Sequence, residues 1–217
     1  MKKPEKSQKT EQIILNTAQQ TFAEQGLSGA RMQAIAKEAK VNKALLHYYF
    51  RSKEKLYEAV LKNIIGQVWT TIRQEMKAEN KSQKIEEVIR IIVSAYVRTL
   101  RNNPVFPRIM LHEMAVGGTH LSVIVEELVG SFGDLLGRLM VAIQAGVKER
   151  RIKPIEPVHI IINLMGMTIA TFLLQPIIPL FYYRVFKSEF KADDAFFEKR
   201  IEVITETLCN GILVRKG

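Results

Sequence analysis

Apolar residues recur at steps of three and four along almost the whole chain, the period of one face of an α-helix. Ile13, Ile14, Ala18, Thr21, Phe22 and Gln25 mark a helix over about 9–25, which Gly26 ends as the residue just past the last turn. Met32, Ile35, Ala36 and Ala39 predict a second helix of about two turns. Asn42, a good N-cap type, opens a third that carries Leu46, Tyr49 and Phe50. Ser52 caps a fourth, much longer helix to about residue 79, with Leu56, Tyr57, Val60, Leu61, Ile64, Ile65, Val68, Trp69 and Ile72 in its pattern. Further helices are predicted over 83–102, from Pro104 and Pro107 through Met114, and over about 120–150 after a break at Gly117-Gly118. Two more follow at about 156–175 and 193–214, separated by the proline-interrupted segment PIIPLFYYRVFKS. No stretch alternates with period two for long enough to argue a sheet. The expected fold class is all-α.

Composition narrows this only a little. With 217 residues, 47% of them hydrophobic, the chain can bury a substantial core and is not disordered as a whole. A lone Cys209 rules out a disulfide framework and a Cys-based zinc site. The opening MKKPEKSQKTEQ leads into an amphipathic segment rather than an apolar signal region, so a cytoplasmic location is expected. Charge says more. Of the net +10, residues 1–62 carry +6 and the remaining 155 only +4, which places a polyanion-binding surface at the N-terminal end.

Only Lys40-Val41 and the cap residue Asn42 separate the second and third helices, the spacing of a helix-turn-helix. With Leu46 facing inward, Tyr49 and Phe50 lie within about 60° of it on the helical wheel. Ala44 and Tyr48 then point away, flanked by Leu45 and His47. A helix that reads DNA needs this division, one face packed and the other free to enter the major groove. Lys43 and Lys53 bracket the free face, and Lys53 opens the fourth helix, where free N–H groups favour a phosphate oxygen. Lys2, Lys3, Lys6 and Lys9 form a flexible basic arm suited to the backbone or a neighbouring minor groove.

Taken in order, ILNTAQQTFAEQGLSGARMQAIAKEAKVNKALLHYYFRSKEKLYEAVL resembles the DNA-binding domain of TetR-family transcriptional regulators. The match includes Ala18, Phe22, Gly26, Ile35-Ala36, Val41, Leu46, Tyr48-Tyr49-Phe50 and Ser52-Lys53-Glu54. The resemblance implies a three-helix DNA-binding domain over 1–52 and a larger helical effector-binding and dimerisation domain over 53–217. It puts base and phosphate contacts on Lys43, Ala44, Leu45, His47, Tyr48 and Tyr49, a backbone clamp on Lys53, and second-helix contacts on Arg31 and Gln33. Five positions depart from the family pattern. Ser or Thr is frequent where Arg31 stands, Gly where Lys40 and Ala44 stand, Thr at Leu45, and Tyr at His47. Leu45 cannot hydrogen-bond a base edge and would offer apolar contact, for instance to a thymine methyl.

One head covers only a few base pairs, so specific double-stranded DNA binding calls for a homodimer. By the same resemblance the helices at 156–175 and 193–214 build it. Residues 157–183 hold no Asp, Glu, Lys or Arg, which raises a membrane span. His159, Asn163, Thr168, Thr171 and Gln175 with Pro176 and Pro179 argue instead for a helix between its own core and a twin subunit, and no membrane is expected. A small hydrophobic effector is expected in an apolar cleft of the body. Candidate lining residues are Trp69, Tyr96, Phe106, Met110, Met114, Phe132, Met140, Met165 and Phe172, with His112, Glu113, His159 and Asn163 as polar partners. No cofactor or metal is expected, since H-E-x-x-H fails at Val116. The expected function is a ligand-responsive repressor, not an enzyme; the alternative is an all-α enzyme with a site near His112 and Glu113.

Overall fold

The computed structural model describes residues 5–78 and 84–212, and their side chains except those of residues 5, 6, 76–78, 128–136 and 138. Among the described residues ten helices form: α1 (Glu5–Gly29), α2 (Met32–Glu38), α3 (Lys43–Phe50), α4 (Lys53–Ala78), α5 (Ile85–Asn102), α6 (Phe106–Ala115), α7 (Thr119–Lys148), α8 (Pro157–Leu173), α9 (Ile178–Phe186) and α10 (Asp194–Ile212). The fold is all-α, with a helix-turn-helix at its N-terminal end.

Side chains and left-handed residues set the helix ends. Asn42 Oδ1 accepts the Leu45 N–H at 2.6 Å, and Ser52 Oγ accepts the Lys55 N–H at 3.2 Å, capping α3 and α4 as expected. Gly26 has φ 65° and ψ 177°, a conformation open to glycine alone; it kinks α1, which then makes one further turn. At the end of α2, Val41 N–H reaches Ala36 O at 3.0 Å and Lys40 N–H reaches Lys37 O at 3.1 Å. That is the paired C-terminal bonding that needs a left-handed residue, and Lys40 supplies it at φ 55°. Gly117, at φ 87°, does the same for α6.

Two elements differ from the sequence expectation. Helix α1 begins at Glu5, so Lys6 and Lys9 sit on a helix rather than on a flexible arm; Lys2 and Lys3 lie outside the described residues. A glutamate in the first turn favours the early start. The segment after α8 reads in sequence as a proline-interrupted connection, yet it holds α9. Pro179 falls in the first turn, where no N–H donor is needed, so it starts the helix instead of stopping it.

The chain divides into two compact units, Met1–Gln67 with Asn103–Val129, and Val68–Asn102 with Gly130–Gly217. In the first, α1 packs on α2 and α6, and α2 on α3. Ile14, Phe22, Ile35, Leu46, Leu56, Tyr57 and Ile109 are fully buried there. In the second, α10 packs on α5 and α8, and α5 on α8. Phe172 stacks on Phe197 with ring centroids 5.5 Å apart, and the Arg101 guanidinium lies 5.0 Å over Phe197 while pairing with Asp194. Among the described residues no single helix is long and apolar enough to cross a membrane; α8 and α9 together reach the length but bend by 79°.

Candidate DNA-binding site

The short helices α2 and α3 meet at the left-handed Lys40 and the Asn42 cap, which fixes the direction in which α3 leaves its partner. Leu46 and Phe50 are buried, whereas Lys43, Ala44 and Tyr48 are exposed, Tyr48 by 68%. The free face read from the sequence is therefore free in the structure, on the helix that a helix-turn-helix inserts into the groove.

The flanking residues are less equivalent than the sequence suggested. Leu45 is half-buried. His47 Nδ1 lies 3.0 Å from the Arg51 carbonyl oxygen; that oxygen can only accept, so Nδ1 is the nitrogen that donates in this bond. Tyr49 is turned toward α1: its hydroxyl donates to the Ser7 carbonyl at 3.2 Å and accepts from Ser7 Oγ at 2.9 Å. It ties the first turns of α1 to α3 and sits edge-on to Tyr48 at 5.6 Å. Lys53 is half-buried at the start of α4 and donates to the Ser28 carbonyl at 3.2 Å, in the last turn of α1.

Arg31 and Gln33 are exposed at the start of α2. Arg31 occupies the N-cap position with extended backbone, φ −120° and ψ 128°, and its side chain makes no cap bond. Replacing it with serine supplies the missing acceptor. We expect Arg31→Ser to raise stability by about 0.5–1 kcal/mol in urea unfolding. The same change should weaken DNA binding through the lost cation. Equal signs in the two assays would contradict this placement.

Behind the head, the first unit holds a buried carboxylate. Glu113 of α6 is 1% exposed, and its Oε1 accepts the N–H groups of His120 at 2.6 Å and Leu121 at 3.0 Å, in the first turn of α7. Its Oε2 stands 3.4 Å from His120 Nδ1. Burial, and then the Glu113 charge, pushes the Tyr57 phenol well above its ordinary range. Phe22 and His120 both meet the Tyr57 ring edge-on, at 5.0 and 5.3 Å. The sequence offered Glu113 as a polar ligand group or a catalytic acid; its position makes it the cap of α7. His112 is exposed and lies beside Gly26, its Nδ1 3.4 Å from where a β-carbon would stand. Among the described residues no three His, Cys, Asp or Glu side chains converge as metal ligands do.

The candidate effector residues divide between the units. Phe106 and Met110 are buried on α6 in the first unit, with Met114 exposed on the same helix. Tyr96 and Phe172 are buried in the second unit, and burial pushes the Tyr96 phenol up to about 12. Trp69 is half-buried against the cluster of Ile72, Ile91 and Ala95. Met140 and Met165 are exposed, and the Phe132 side chain lies outside the described residues. His159 and Asn163 are exposed on α8.

Residues 14–60 match the family model described as bacterial regulatory proteins, tetR family, and residues 61–215 match the model of the C-terminal region of YcdC-like proteins. The chain is similar to the HTH-type transcriptional regulator RutR of Escherichia coli, at 28% identity over 209 residues, covering 93% of this chain and 90% of that one. It is similar to the HTH-type transcriptional repressor NicS of Pseudomonas putida at 30% identity over 145 residues, 65% of each chain. Among solved structures, the fatty acid degradation regulator FadR of Bacillus halodurans superposes with a TM-score of 0.66 at 18% identity, covering 96% of this chain and 97% of that one. With a helix-turn-helix at one end and matched models across nearly its whole length, the chain belongs to the TetR family of bacterial regulatory proteins, DNA-binding regulators of transcription.

Proposed function

We propose that this regulator is a homodimeric repressor that binds a near-palindromic operator and is released by a small hydrophobic effector. The family match already makes it a regulator and not an enzyme. One observation carries the DNA-reading part: Tyr48, Lys43 and Ala44 face outward from α3 while Leu46 and Phe50 are locked into the core behind them. On the reading head, residues 1–52, base contacts fall to Gln33, Lys43, Ala44, Leu45, Tyr48 and His47. Arg31 and Lys53 hold phosphates, and Tyr49 positions α3. Two heads dock in successive major grooves about one turn, roughly 34 Å, apart. The body, residues 53–217, holds them at that spacing through the outer faces of the helices at 156–175 and 193–214. Repression as the sign of regulation draws support from the relative named a repressor.

Release needs an effector with different affinity for the binding and non-binding forms, with a coupling of about 1–3 kcal/mol. Trp69 is the single tryptophan and lies on an apolar cluster, so its fluorescence reports effector entry into the body.

Selection of operator DNA from a random pool tests the reading, and absence of any enriched sequence at moderate salt would defeat it. On the selected operator, Lys53→Ala should weaken binding across sequences and flatten the plot of log affinity against log salt by about one unit. Tyr48→Ala should weaken binding with the slope kept. If the two substitutions act alike on the slope, Lys53 is no phosphate clamp.

A further inference from the structure

We infer that α9 is an interface helix whose partner is a second copy of this chain, so that the dimer closes over α8 and α9 rather than over α8 and α10 alone. The inference rests on the homodimeric reading and deepens it.

Helix α9 has nine residues, and none is buried in its own chain. Leu180, Phe181, Tyr183, Val185 and Phe186 are each more than half exposed. A helix this short does not persist alone in water, and apart from Arg184 and the tyrosine hydroxyls its side chains are apolar, a surface that belongs in an interior. One edge is anchored: Tyr182 meets Phe190, which leads through Phe196 to Phe197 and the Phe172 stack. Apart from half-buried Ile178, the rest of α9 is exposed among the described residues.

The neighbouring faces show where cover comes from. Helix α8 turns Ile160, Leu164, Thr168 and Phe172 inward, and Val158, Ile162 and Met165 outward at steps of four and three. That outward stripe repeats like the seam of two packed helices. Helix α10 uses Phe197, Ile201, Ile204 and Leu208 for its own core and presents Glu198, Lys199, Glu202 and Glu206 to the outside. The open apolar surface is thus α8 continued by α9.

Its size matches one protein partner. Ten large apolar side chains of α8, α9 and the turn between them are 44–65% exposed. At roughly 100 Å² each they offer on the order of 1,000 Å², against about 800 Å² per partner in a stable interface. A typical monomer leaves no patch of that size open. A self-complementary patch needs no second gene product, and a two-fold contact uses each side chain twice.

The test uses the full chain carrying Leu180→Ser and Phe181→Ser. Because both side chains are exposed, far-UV circular dichroism should show the fold intact. Sedimentation equilibrium should show the dimer dissociation constant raised at least a hundredfold. Hydrogen exchange at α9 in the unsubstituted protein should slow as concentration crosses that constant. An unchanged dissociation constant, or α9 amides that exchange as fast in the dimer as in the monomer, overturns the proposal. So does sedimentation of the protein with phosphatidylcholine–phosphatidylglycerol vesicles with no loss of self-association in the variant, which would assign the surface to lipid. A variant that stays dimeric and still binds a selected operator sinks only this inference. A natural chain that enriches no operator sinks the repressor reading, whatever α9 does.

Discussion

Leu46→Ala is expected to lower stability by about 3 kcal/mol and to abolish operator binding, while Tyr48→Ala, two residues on, leaves stability within about 0.5 kcal/mol. The two side chains leave the same helix on opposite sides. Leu46 is wholly buried, and shortening it to a methyl removes apolar contact and opens a cavity that α1, α2 and α3 close only partly. Helix α3 has eight residues and one side-chain cap, so packing through Leu46 and Phe50 is what holds it. A loosened seat misplaces Lys43, Ala44 and Tyr48 together, although none of them has changed. Tyr48 is exposed and touches chiefly Tyr49, so its removal costs little until DNA is present. Urea unfolding followed by circular dichroism and anisotropy of a labelled operator separate the two effects. Tyr48→Ala matching Leu46→Ala in the unfolding assay would mean that the exposed face is not free.

The same two residues show what was legible in the sequence. A step of three or four tells which side of a helix is apolar, and in α3 it sorted Leu46 from Tyr48 correctly because the covering surface is local. Periodicity does not tell whose surface does the covering. In α8 the residues 157–173 are apolar on both sides, and it is the packing of α5 and α10 that divides Ile160 and Leu164, which they cover, from Val158 and Ile162, which stay open. Helix α9 is not legible in the sequence, because Pro179 reads as a breaker unless its place in the first turn is known. Lys40 gave no local sign of its left-handed backbone; the glycine frequent there in the family was the hint. Aromatic and Met spacing does not distinguish Phe106 from Tyr96, although the two belong to different units.

Glu113→Ala is expected to cost about 3 kcal/mol or more, and Glu113→Gln about 1–2 kcal/mol, with operator binding lost only as the fold is lost. The carboxylate is buried, and its Oε1 receives two N–H groups that α7 cannot satisfy internally. Alanine leaves both donors buried without a partner, at about 1–3 kcal/mol each, less what a relaxing turn or an entering water recovers. Glutamine keeps one oxygen for those donors. It loses the negative charge at a helix N-terminus, worth about 0.3–1 kcal/mol and up to about 2 in partly buried sites. It also places an amide N–H₂ toward His120 Nδ1, 3.4 Å from the replaced oxygen. The order natural, Gln, Ala follows from geometry alone, and urea unfolding checks it. A catalytic glutamate would behave in the opposite way, since active-site carboxylates are commonly replaced by glutamine without loss of stability. Glu113→Gln with natural stability would therefore remove the capping role and leave this buried carboxylate without an account.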